Sequence, residues 1–160
     1  MRRLLNLVVL LLVLFAVETV GAREFEGHAI VQDDGSLLIK NRVVHLHGIY
    51  MPSTNRQCRS RISPLRCGER GILALDFLVK GFITCFEQNR NTDGSISAVC
   101  YQGRNSFDPG IDLAAYLLER GWALALPNAP FEYHALERIA RTREIGVWGW
   151  QVDSVTPPFR

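Results

Sequence analysis

Two histidines one residue apart, His45 and His47, lie in "VVHLHGIYMPS", shortly after an acidic turn, Asp33-Asp34-Gly35-Ser36. Along an extended strand alternate side chains share a face, so the two imidazoles are expected to stand together. With Asp33 or Asp34 beside them they are candidate ligands for a transition metal, because imidazole nitrogens and carboxylates are what such ions take. A third ligand must then reach in from the turn; without it, His45 and His47 are two half-exposed strand residues. Asp33-Asp34-Gly35 also reads two ways, as a remnant calcium-binding loop or as a plain turn. Where the stretch ends, Tyr50, Met51 and Ser53 surround Pro52. They offer no carboxylate, and a serine without a base is a poor nucleophile.

The second chemical feature is cationic. Arg56, Arg59, Arg61, Arg66 and Arg70 fall within one short segment against the single acid Glu69. Guanidinium groups pair with phosphate in a fixed geometry. The segment is therefore a candidate ligand-binding patch for phosphate, a nucleic-acid backbone or an acidic surface polymer; the alternative is a solvated loop. Arg138, Arg141 and Arg143 interleave with Glu137 and Glu144 and read as the solvated face of a helix.

Four cysteines bear on how these groups are held: Cys58, Cys67, Cys85 and Cys100. "GFITCFEQN" and "GSISAVCY" read as two strands joined by a turn over Arg90 to Gly94. A hairpin centred between Thr92 and Asp93 sets Cys85 opposite Cys100, within reach of a disulfide. That leaves Cys58 to pair with Cys67 and to gather the arginines. Zinc is the weaker reading, because no C-x-x-C pair or histidine stands at ligand spacing beside these cysteines.

The positioning elements follow from periodicity. Phe25 to Val31, Leu37 to Lys40 and Val43 to Ile49 read as three strands, with turns at Asp33 to Ser36 and at Asn41-Arg42. "CGERGILALDFLVKG" places Ile72, Leu75 and Leu78/Val79 on one helical face and stops at Gly81. The cysteine hairpin supplies strands four and five. Asp112 caps a helix carrying Leu113, Tyr116 and Leu117, with Gly121 just past its end. Pro130 starts a last helix with Phe131, Ala135 and Ile139 spaced along one side, ended by Gly146. "VWGW" is expected to pack back on the body. No internal repeat, linker or low-complexity segment is evident. Three strands, a helix, a closing hairpin and further helices make an α+β, mainly β, architecture: a five-stranded OB-fold barrel with two to three packed helices.

The N-terminus bears on compartment. Met1-Arg2-Arg3, an apolar run from Leu4 to Val17 and small residues at Val20 to Ala22 have the form of a secretory signal cleaved after Ala22; an uncleaved anchor is the alternative. The expected organisation is a signal peptide over 1–22, one domain over 23–150 and a C-terminal tail over 151–160. No membrane span is expected once the signal is gone. The formal charge of +2 falls to +1 when Arg2, Arg3 and Glu18 are removed. Bulk electrostatics therefore cannot hold this chain on a polyanion, and any nucleic-acid contact must be local. An even cysteine count suits an exported, periplasmic or extracellular, disulfide-bonded protein.

"GHAIVQDDGSLLIKNRVVHLHGIYMPS" resembles the opening of staphylococcal-nuclease-like (thermonuclease) domains: a strand, a V-x-D-G-D-T turn, an L-x-I strand, then V-R-L-x-G-I-D-A-P-E. "CGERGILALDFLVKG", "DLAAYLLERGWALA" and "EYHALERIARTREIGVWG" resemble that family's three helices, and the cysteine placement resembles its exported bacterial branch. The resemblance runs from about Gly27 to Gly149. It implies calcium-assisted cleavage of nucleic-acid phosphodiesters, in which carboxylates hold the cation, arginines cradle phosphate and a glutamate activates water.

Position by position, the chain departs from that chemistry. Asp33 keeps the first aspartate, but the second, a cation ligand, falls on Gly35. The third-strand arginine falls on His45, the aspartate before the proline on Tyr50, and the glutamate after it on Ser53. The hairpin arginine falls on Ser95, and a common tyrosine on Leu126. No intact catalytic residue set is expected. The favoured expectation is a catalytically degenerate, exported domain, monomeric, that binds an anionic polymer such as nucleic acid, or an envelope protein. A phosphodiesterase with relocated ligands among Asp33, Asp34, His45, His47 and Asp93 is the alternative, and a structural envelope protein a third. No cofactor is expected, apart from calcium if nuclease activity persists.

Overall fold

Alternation of apolar and polar residues builds a barrel whose inward faces are almost wholly aliphatic. The computed structural model describes residues 22–52, 57–58 and 65–149. Five strands, β1 (Arg23–Val31), β2 (Leu37–Ile39), β3 (Arg42–Leu46), β7 (Phe82–Arg90) and β8 (Ile96–Gln102), run in the order β3-β2-β1-β7-β8. A parallel β3–β8 pairing, Val44 opposite Ile96 and Leu46 opposite Ala98, closes the ring. All other ladders in it are antiparallel. Closure removes the sheet edges. The result is a closed five-stranded mixed barrel with three helices, an OB-like α+β domain.

Short strands complete the order: β4 (Ile49–Tyr50) pairs with β10 (Leu124–Ala125), β5 (Gln57–Cys58) with β6 (Leu65–Arg66), and β9 (Ile111–Asp112) with the end of β8. The core holds Leu37, Ile39, Val44, Ile83, Ile96 and Ala98 from the strands. The helices α1 (Cys67–Leu78) and α2 (Leu113–Glu119) add Leu75 and Leu113, Ala114, Leu117 and Leu118 to it. Burying a leucine or isoleucine is worth about 1.5–3 kcal/mol each, so this cluster is the main source of stability.

Several expectations shift in detail. The β2–β3 turn is Lys40-Asn41, not Asn41-Arg42. Both residues have positive φ, 48° and 61°, as a two-residue turn matched to strand twist requires. The third strand ends at Leu46 rather than Ile49. His47 and Gly48 form a turn that redirects the chain, and Gly48 O accepts the Leu126 N–H at 2.9 Å. In the hairpin Cys85 does face Cys100, with Cα atoms 4.1 Å apart and a disulfide formed. An irregularity between Glu87 and Asn89 moves the register, so the turn centres on Asp93.

The last helix, α3 (Phe131–Thr142), differs most. Pro130 stands at its N-cap position. The Phe131–Ala135–Ile139 side faces outward, with Phe131 79% and Ile139 44% exposed. Tyr133, Glu137 and Ala140 are buried instead. Glu137 is thus no part of a solvated face. Its Oε2 accepts the Ala125 N–H at 3.1 Å, and its Oε1 accepts Arg141 Nη2–H at 2.7 Å. The Arg141 guanidinium then covers the Trp148 ring at 4.0 Å. A carboxylate with satisfied partners can be buried where the i+3/i+4 pattern shows only a charged helix. After α3, a 3₁₀ turn over Gly146–Gly149 packs back as expected: Val147 is buried and donates its N–H to Gly121 O at 2.8 Å.

Candidate functional site

Two turns of the same construction meet on β3. In the first, Ser36 N–H and Ser36 Oγ–H both donate to Asp34 Oδ1, at 2.9 and 2.6 Å, and Gly35 N–H donates to Gln32 O. In the second, Ser95 N–H and Ser95 Oγ–H donate to Asp93 Oδ1 at 2.9 and 2.6 Å, and Gly94 N–H donates to Asn91 O. Gly35 and Gly94 hold nearly equal φ, 81° and 84°, a conformation glycine adopts without strain. The sequence signal was the tripeptide Asp-Gly-Ser followed by an aliphatic residue, present at 34–37 and again at 93–96; it is too short to read as a repeat.

Barrel closure brings the turns together. Val44 pairs with Leu37 on one side and Ile96 on the other, each one residue past its turn serine. His45 follows Val44 and lies opposite Ser97. Burial alone pushes the Asp34 carboxyl up, but bonds from the Ser36 hydroxyl and N–H, with the charge of His45, outweigh it and hold Asp34 below its ordinary value. The Ser95 bonds lead in lowering Asp93, and His45 contributes there too. Asp34, His45 and Asp93 thus form one electrostatic group.

His47 reaches Ser97, the residue opposite His45, so the two imidazoles lie on the same side of the ladder. His47 sits in the turn after β3, with Nδ1 3.0 Å from Ser97 Oγ and its N–H donating to Ala98 O. Burial lowers its pKa, because the imidazolium loses hydration. Asp33 is exposed. Among the described residues no group of three His, Cys, Asp or Glu side chains is placed to hold a metal ion.

Gly35 and Ser95, two of the positions singled out by the family resemblance, are physically committed elsewhere. A β-carbon on Gly35 would lie 2.5 Å from Met51 Sδ and 3.1 Å from its Cε, so Met51 fills the volume a side chain there would need. Ser95 is buried and bonded to Asp93 and Asn91. Tyr50 is half-buried on β4 opposite Leu124, and Leu126 is half-buried beside Gly48. Ser53 lies outside the described residues, as do Arg56, Arg59 and Arg61. For Arg66 only the strand pairing with Gln57 is described. Arg70 is exposed on α1. The Cys58–Cys67 pairing rests on side chains outside the described set, as do the leader and the tail.

A scan against protein-family models finds no match, and a search of curated proteins finds no significant relative. Among the described residues no helix is long and apolar enough to cross a membrane.

His47 in the turn after β3 and the aspartates of the two Asp-Gly-Ser turns set an acid response in two stages. His47 has a folded-state pKa below its ordinary 6.5. The unfolded chain then binds that proton more readily, so this contribution is complete above pH 6.5 and lost as pH falls. Asp34 and Asp93 lie below their ordinary 3.8; their contribution is present above pH 3.8 and lost below it. Denaturant midpoints measured across this range are expected to fall in both windows. His47→Gln should flatten the upper one alone; an unchanged upper slope in that variant would count against the assignment.

Proposed function

We propose that this chain is an exported, catalytically degenerate staphylococcal-nuclease-like domain that binds an anionic polymer or an envelope protein, with the arginine-rich segment 56–70 as the contact for an anion. The observation that carries the reading is the state of the site. The barrel and its inserted helix have the order the resemblance implies. Yet Met51 occupies the space beside Gly35, and Ser95 is tied into its own turn. Cooperating catalytic groups act as a unit, and losing several leaves little rate. The leader-like N-terminus and a disulfide between buried cysteines support export.

The test is a cleavage assay on single-stranded DNA, RNA and duplex DNA with calcium, manganese, zinc or chelator. The natural protein is expected to be silent. A rebuilt variant is expected to cleave with calcium if it carries Gly35→Asp, His45→Arg, Tyr50→Asp, Ser53→Glu and Ser95→Arg, together with Met51→Ala to open the filled volume. A parallel arm measures retention on heparin at low salt, where replacing Arg56, Arg59 and Arg61 by serine should weaken binding about tenfold or more. Chelator-sensitive cleavage by the natural protein would overturn the reading and make Asp33, Asp34, His45 and His47 the first residues to mutate.

A further inference from the structure

The chain has two methionines, Met1 and Met51. Met51 sits where three parts of the fold meet. Its sulfur and methyl lie against Gly35 of the β1–β2 turn, and its methyl lies against Gly71 of α1. Gly71 in turn abuts the Trp122 backbone and Cβ just after α2. Both glycines matter for space: a β-carbon at Gly71 would lie 3.2 Å from Met51 Cε. Met51 precedes the arginine-rich segment in sequence and Gly71 follows it, so this contact joins the two ends of that segment on the barrel. Met51 is packed against the core yet only partly buried.

We propose that Met51 is an oxidation site, and that its sulfoxide releases this clamp. A peroxide supplies the oxygen. An S–O bond forms as the O–O bond breaks, sulfur loses two electrons, and the second oxygen takes the proton and leaves as water or alcohol. The product is larger, polar and stiffer than the thioether. A slot that leaves no room for a β-carbon at Gly35 has none for an added oxygen on the sulfur facing it, and the polar S–O group loses hydration there. The side chain is therefore expelled, and the turn at Gly35 and the start of α1 lose their common contact. Cys85 and Cys100 offer no competing thiol, being joined in a disulfide. That expulsion lowers affinity for a polyanion rests on the proposed function; the oxidation and its effect on the barrel do not.

The experiment treats the full chain, its Cys85–Cys100 disulfide intact, with dilute hydrogen peroxide and maps added oxygen by peptide mass spectrometry, with free methionine in the same solution as the reference. Met51 is expected to oxidise, the melting midpoint to drop by about 5 °C, and tryptophan emission to shift as the Gly71–Trp122 contact loosens. Methionine sulfoxide reductase should reverse all three. Met51→Leu, which keeps the volume, should fold and lose the response, whereas Met51→Gln should show the low midpoint without peroxide. Heparin retention is read alongside: a midpoint shift without a change in retention confines the failure to the functional reading. Oxidation of the free methionine with Met51 untouched, or an oxidised Met51 with an unchanged midpoint, would overturn the proposal.

Discussion

Alanine at both Cys85 and Cys100 lowers the unfolding free energy by about 4 kcal/mol. The bridge spans a sequence separation of 15, and closing a loop of that size constrains the unfolded chain by about 3 kcal/mol. Both side chains are fully buried between Ile83, Ile96 and Ala98 in the barrel core, and shrinking them adds roughly 1 kcal/mol of lost packing. Small domains hold only about 5–15 kcal/mol in all, so the double variant is expected to melt far earlier while keeping its strand content. Denaturant titration of both proteins under oxidising conditions measures the difference. A loss below about 1 kcal/mol would mean that the β7–β8 ladder alone holds the hairpin.

The second large effect belongs to Asp112. Its Oδ1 accepts the N–H groups of Ala114 and Ala115 at 2.9 and 3.0 Å, capping α2, and its Oδ2 accepts the Tyr133 hydroxyl at 2.8 Å. One carboxylate therefore sets the start of α2 and docks α3 against it. Burial, then the charge of Asp112 beside it, pushes the Tyr133 phenol far above its ordinary range, so it remains a donor. Asp112→Ala removes the cap, worth about 1 kcal/mol, and orphans a hydroxyl that is buried, costing about 1–3 kcal/mol more. The expected loss is about 3 kcal/mol. Asp112→Asn keeps an acceptor at the cap and should recover roughly a third or more of it. A double-mutant cycle with Tyr133→Phe isolates the bond between them. A coupling near zero there would show that packing, rather than this bond, seats α3.

Much of the architecture was legible because its causes are local. Alternation along 25–31 and 96–102 follows from one face being buried. The Asp112 cap and the Ile72–Leu75–Leu78/Val79 face are patterns within a turn or two of helix. The α3 expectation failed on the same ground. Phe131 and Ile139 are more apolar than Glu137, so periodicity chose the wrong side; Arg141 lies one helical turn away, but only the Ala125 N–H, brought close by the fold, completes the partners that let Glu137 be the buried one. The β2–β3 turn was misplaced by one residue because Lys40 carries no sign that it takes a positive φ.

By itself the sequence determined the order of the five barrel strands and the helices, the opposition of Cys85 and Cys100 across a hairpin, and the absence of carboxylates around Pro52. Each depends on residues near one another in the chain or on side-chain chemistry alone. The tertiary structure decided what the site is. The turns at Asp34 and Asp93 lie beyond opposite ends of the β1–β7 ladder, and only the β3–β8 pairing sets both beside His45. Met51 fills the volume by Gly35 for the same reason: a slot between a turn, a helix and a closing segment has no address in the sequence until the ring is shut.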